Sequence, residues 1–124
     1  PRTVAADGRK SMGGRSVPPT VVGNDQMVGV ACRVVIGTVD GARNFYMRLV
    51  GIAPGGHTPK HAHDWEHEVF VHSGKGECWH DGQWHPLKPG DVMFMPALEE
   101  HQLRNAGDEV FVFVCLVPSK APEL

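Results

Sequence analysis

The sequence predicts an all-β domain, an antiparallel sandwich or barrel. Three observations predict it. Short segments rich in Val, Ile, Phe and Tyr recur along the chain, at the roughly 8–12-residue spacing of such folds. Clusters of Gly, Pro, Asn and Asp separate them, as turns require. No segment carries a sustained helical period.

Residues 1–25 are polar and rich in Gly, Pro and Arg. They are expected to form a flexible arm that orders only against a partner subunit. Residues 26–118 are expected to form the barrel. Its first strand is MVGVACRVVIG, a β-branched run stopped by Gly37 and the DGAR turn. NFYMRLVGIA follows and ends at APGG. In HEVFVHSG, His67, Val69 and Val71 share one parity, while Glu68, Phe70 and His72 take the other face. KGECWHD runs to Asp81-Gly82, a pair suited to a tight hairpin turn. DVMFMP follows KPGD, and EVFVFVCLVP follows NAGDE. Residues 119–124 are a tail. No internal repeat or low-complexity tract interrupts this series.

At 124 residues, the chain suffices for one domain with one core. With 12 basic and 14 acidic residues, the net charge of −2 gives no reason to expect nucleic acid or an anionic membrane. No apolar run approaches the ~20 residues of a membrane-spanning helix. The three cysteines, Cys32, Cys78 and Cys115, lack CxxC spacing and do not form a disulfide framework. A reduced, cytoplasmic protein is expected.

The candidate chemistry lies in four histidines: His61, His63 and His67 in one run, and His101 in PALEEHQLRN. Neutral imidazole is the commonest protein metal ligand. His61 and His63 are two apart, so on a strand both rings leave one face and can share an ion. Along a straight strand His63 and His67 would be ~13 Å apart. The chain must therefore bend at Asp64-Trp65-Glu66 for the third ring to join. A helical alternative also exists, because His63-Asp64-Trp65-Glu66-His67 fits the H-x-x-E-H pattern of inverted zinc proteases. Pro59 before it and the β-rich EVFVHSG after it argue against a helix there. His57, His72, His80 and His85 lack such grouping and are left outside the site.

These residues resemble the cupin superfamily. Its first motif reads G-x5-H-x-H-x3-E-x6-G, and Gly55, His61, His63 and Gly74 occupy their places, with His67 where the family usually has Glu. Its second reads G-x5-P-x-G-x2-H-x3-N, and Gly90, Pro96, His101 and Asn105 match, with Leu98 replacing a glycine. The resemblance covers residues 27–118. It implies a small antiparallel double-sheet β-barrel, jelly-roll-like, with one divalent transition metal per chain held by His61, His63, His67 and His101. It is closest in character to the four-histidine, single-domain cupins, which favours manganese; Fe, Ni, Cu, Co and Zn suit the imidazoles as well or better. The resemblance also implies that Phe113 and Cys115 face inward near the metal. Trp65, Trp79 and Phe94 are further candidates to line the barrel. Arg48 is a candidate anion anchor, although a solvated surface position is the reading preferred for it.

Four neutral ligands leave the ion's full charge in place. That favours anionic species at its open positions and disfavours a higher oxidation state. Glu66 and Glu68 are placed to offset this if either bonds to a ligand ring. On a six-coordinate ion two positions stay open, whereas a tetrahedral ion would be closed. The expected function is a metal-dependent oxidoreductase of dioxygenase type, acting on a small organic molecule. The alternatives are a non-redox ligand-binding or sensor protein, and a metal-dependent isomerase or lyase. A homodimer is expected, and neither nucleic acid nor membrane is expected as a partner.

Overall fold

Alternating β-branched and aromatic residues bury one face of each strand, and the turns between them fold the chain back on itself. The computed structural model describes residues 8–22 and 27–122. Among these there are nine strands, two short 3-10 turns and no α-helix. The strands are β1 (Thr20–Val22), β2 (Val28–Ile36), β3 (Phe45–His57), β4 (His67–Ser73), β5 (Gly76–His80), β6 (Gln83–Leu87), β7 (Val92–Met95), β8 (Gln102–Arg104) and β9 (Phe111–Pro118).

All pairings are antiparallel and join into one curled sheet in the order β6-β5-β8-β3-β9-β4-β7, with β1 and β2 continuing from β3. The all-β antiparallel architecture is the one the sequence predicts. β3 is the longest strand and organises the rest. It pairs with β2 on one edge and with β9 on the other, and its end at His57 meets Arg104 of β8. β8 and β9 therefore share one edge of β3, which lets the sheet split into two layers around a common interior.

The core follows strand parity. β9 alternates strictly, with Phe111, Phe113, Cys115 and Val117 buried. β4 does the same with His67, Val69 and Val71. Phe111, Ile52, Val71, Val117 and Cys78 are the largest fully buried side chains. Two turns show why their residues are needed. Asp81 and Gly82 both have positive φ, 55° and 76°, the requirement of the tight turn joining right-twisted β5 and β6. Gly74 has φ 73°, and a Cβ there would overlap the Val110 carbonyl oxygen, so no side chain fits.

Of the expected arm, residues 1–7 and 23–26 lie outside the described residues. Residues 8–22 make contacts within their own chain. β1 pairs with β2, Val17 is buried, and Lys10 bonds Asp40 at 3.0 Å in a nearly solvent-free pair. In the tail, Ala121 is buried against the core, and residues 123–124 lie outside the described residues. No helix among the described residues is long and apolar enough to cross a membrane.

Candidate metal centre

A backbone bridge brings the two sequence clusters together. His61 N–H donates to the His101 carbonyl at 3.1 Å, and His101 N–H donates back to His61 at 2.9 Å. Residues in such a pair project their side chains to one side, and the two ring centroids are 4.9 Å apart. The bend expected after His63 is present at Asp64 and Trp65, and β4 then begins at His67 with its ring buried. The helical alternative is thereby excluded. Leu98 N–H donates to the His63 carbonyl at 2.7 Å, tying the bent loop to the segment that carries His101.

The four rings converge. The ligand atoms of His61, His63 and His101 all lie within 4.8 Å of one another, an arrangement able to hold a metal ion. His67 joins through its neighbours: its Nε2 is 2.8 Å from His63 Nε2, and its ring centroid is 5.1 Å from that of His101. With metal–nitrogen bonds of ~2.1 Å, ligand atoms at right angles around an ion would be ~3 Å apart. The 2.8 Å separation fits this.

Ring hydrogen bonds support the same reading. Nδ1 of His63 lies 3.0 Å from the Trp65 carbonyl oxygen, and Nδ1 of His101 lies 3.1 Å from that of Glu99. A carbonyl only accepts, so both Nδ1 atoms carry the proton and both Nε2 atoms present a lone pair. Nδ1 of His67 lies 3.2 Å from Cys115 Sγ. With Nδ1–H donated to that sulfur, His67 Nε2 is free as well. The donor set therefore fits a divalent transition metal. Neither Glu66 nor Glu68 bonds to a ring among the described residues, and both side chains are exposed. The cluster remains without a carboxylate.

The rings are held neutral. Burial pushes His67 down to about 3, helped by the nearby Arg48 charge. Burial, then the charge of neighbouring His101 and His63, pushes His61 down to about 4. Burial also lowers His63 and His101, against the upward pull of their bonds to carbonyl oxygens.

The cluster opens into a cavity of about 380 Å³. Val30, Val50, Val69, Met95, Leu103 and Phe113 contribute to its apolar wall. Phe113, Cys115 and Trp65 line it together with all four histidines. Trp65 stacks on His63, with centroids 4.0 Å apart and rings 9° from parallel. Phe94 does not belong here. It is 55% exposed on the outer face, where it lines a shallow groove with Phe70 and Val92. β7 pairs Met95 with His67 and Phe94 with Glu68, so alternation turns Met95 inward and Phe94 out. Trp79 is also outside the cavity, bonding Glu100 at 3.3 Å beneath the Lys60 ammonium.

Arg48 corrects the preference for a surface position, because it lines the cavity. Its Nη2 donates to Cys115 Sγ at 3.3 Å and lies 3.4 Å from His67 Nδ1. A signal for this was present in β3, where Tyr46, Arg48, Val50 and Ile52 share parity and the other three are core residues. Asn105 was legible as a motif position, but its role was not. Its amide donates to the Ile52 and Glu109 carbonyls and accepts from Gly107 N–H, fixing the turn behind the site.

A curled antiparallel barrel with converging imidazoles at its mouth, able to hold a metal ion, defines a class of small β-barrel proteins. The chain belongs to the cupin family: residues 48–117 match the Cupin domain. The polyketide cyclase RemF from Streptomyces resistomycificus has a similar structure, with a TM-score of 0.86 and 28% identity, over 92% of this chain and 82% of that one. Protein SchB from Streptomyces halstedii is 31% identical over 93 residues, 74% of this chain and 64% of that protein. The 1-methylthio-D-xylulose 5-phosphate methylsulfurylase of Rhodospirillum rubrum is 30% identical over 71 residues, 57% of this chain and 46% of that protein. The chain thus spans less than two thirds of the length of these two curated relatives.

Proposed function

We propose that the protein is a metal-dependent enzyme that rearranges or cyclises a small organic carbonyl compound without net oxidation. The observation that carries this is the ligand cluster itself, four imidazoles and no carboxylate. Such a set leaves a bound ion strongly electrophilic and resistant to losing an electron. His61, His63, His67 and His101 would hold the ion, which would polarise a carbonyl oxygen as a Lewis acid. The chain's own residues do the rest. The apolar walls exclude water, and Trp65 holds the His63 ring in place by stacking on it. Cys115 Sγ accepts a hydrogen bond from His67 Nδ1–H and so favours the tautomer that presents Nε2. Similarity to a polyketide cyclase over most of the chain supports this class of chemistry. The resident ion is proposed to be a single divalent transition metal, with manganese favoured by the family resemblance and zinc, iron, nickel, copper or cobalt by ligand softness.

The dioxygenase reading uses the same centre and predicts a different outcome. Metal-loaded protein would be incubated with small ketones and β-keto acids in D2O, with and without air. Substrate loss and carbon-bound deuterium would be followed by NMR, alongside a His101→Ala variant. Metal-dependent exchange or rearrangement that proceeds equally without oxygen is expected. Oxygen uptake matching substrate loss would establish the oxidoreductase instead. Binding with no turnover in either atmosphere would leave a ligand-binding role.

A further inference from the structure

We propose that the cavity takes a small organic anion, a carboxylate or an enolate, and that Arg48 holds its charged group. This rests on the proposed function only in placing the rest of that molecule against the histidine cluster.

The charge distribution is one-sided. Among the described residues lining the cavity, Arg48 is the one with a permanent charge, and none is acidic. Arginine stays protonated at any physiological pH. Arg48 is half-buried with no carboxylate partner among the described residues, and a guanidinium partly withdrawn from water is unfavourable to the extent that nothing else satisfies it.

Its hydrogen bonds within the protein are only partly filled. Nε is buried and has no partner. Nη2 meets a sulfur, a weak acceptor, at 3.3 Å. Its other contact, His67 Nδ1 at 3.4 Å, stops being an acceptor once that nitrogen carries the proton, as metal binding through Nε2 demands. Filling the histidine centre therefore leaves Arg48 with even fewer partners. A carboxylate or enolate oxygen beside Nη2 supplies the strong acceptor that the sulfur is not, because guanidinium N–H groups bind such oxygens with charge-assisted bonds.

Position decides where the anion lies. Arg48 is opposite Cys115 on β9, next to His67. An anionic group at Arg48 therefore sits beside the histidine cluster. The body of the molecule then meets Val30, Val50, Leu103 and Phe113. The occupant is thus charged at one end and apolar at the other.

The test compares benzoate with benzamide, a neutral molecule of the same shape. Isotope-labelled protein is titrated with each by NMR, with and without bound metal, reading the Arg48 Nε–H resonance directly. Wild-type protein should bind benzoate roughly tenfold or more tightly than benzamide, the difference expected of one charge-assisted bond. The Nε–H signal should shift with benzoate alone. Arg48→Gln should abolish the preference, and Arg48→Lys should keep part of it. Equal affinities, no benzoate binding by wild type, or an undiminished preference in Arg48→Gln would overturn the proposal. So would a preference that exists only with metal, which would assign the anion to the ion. Failure of wild-type protein to take up any divalent metal, with the benzoate preference intact, would uphold Arg48 while removing the proposed metal chemistry.

Discussion

Each imidazole at the mouth resists protonation, and this couples acidity to stability. His61 is held down at about 4 and His67 at about 3, against about 6.5 in an unfolded chain. Above pH 6.5 the rings are neutral in both states and nothing is lost. As pH falls below 6.5 the unfolded chain takes up protons that the folded chain refuses, so stability declines until the folded values are reached. Metal-free protein should therefore unfold at lower denaturant concentration at pH 5 than at pH 7.5, and His67→Gln should flatten that difference. An unchanged or higher midpoint at pH 5 would contradict the assigned burial. At this scale the histidines were legible in the sequence, because spacing and parity are local properties. Arg48 was less so, because its neighbours Cys115 and His67 arrive from β9 and β4. Phe94 was misplaced for a related reason. Its direction follows from the pairing of Met95 with His67, which no single segment reveals.

Leu98 shows what the loops between strands contribute. It stands at a motif position that usually holds glycine, has φ 68°, and is 72% exposed. A branched side chain in the left-handed region costs about 1–2 kcal/mol. The strain persists because Leu98 N–H is bonded to the His63 carbonyl. Leu98→Gly should keep that bond and raise stability by up to about 1 kcal/mol, the gain being reduced by the added freedom of the unfolded chain. Thermal unfolding would show it, and a fall in stability would mean the leucine side chain makes a compensating contact. The longer strands were legible from composition: β2, β3, β4, β5, β7 and β9 fall where β-branched and aromatic residues cluster. β1, β6 and β8 were not. β1 is three residues inside an otherwise polar arm, β6 contains Pro86, and β8 is the three-residue Gln102–Arg104, with Leu103 as its single apolar residue. All three are short or interrupted, so their pairing depends on their partners' edges, although the residues of β1 are themselves β-branched.

On the scale of the whole molecule, the histidine cluster spans the barrel mouth and draws together segments from distant parts of the chain. His61 and His63 lie on the connection between β3 and β4, His67 begins β4, and His101 precedes β8. An ion held by all four would join segments that are distant in sequence and bind only the folded state. At a free concentration a hundred times its dissociation constant, it would add about 2.7 kcal/mol of stability. Chelation should therefore lower the melting temperature of loaded wild-type protein, and the same treatment should leave His101→Ala nearly unchanged. Equal shifts in both would place the stabilising ion elsewhere. The overall architecture was legible because turn signals and β-rich runs alternate along the whole chain. The strand order that curls the sheet was not, since it depends on β8 and β9 sharing one edge of β3.

The main-chain bridge between His61 and His101 has a consequence for how such a chain can vary. Their mutual distance is set by two backbone hydrogen bonds, and not by the length of chain that separates them. The hairpin of β5 and β6 lies within that stretch and turns at Asp81-Gly82. Lengthening that turn, or grafting a new loop into it, would leave the two imidazoles where they are. The hairpin tip is thus open to insertion and diversification, while the spacing inside each histidine cluster is fixed.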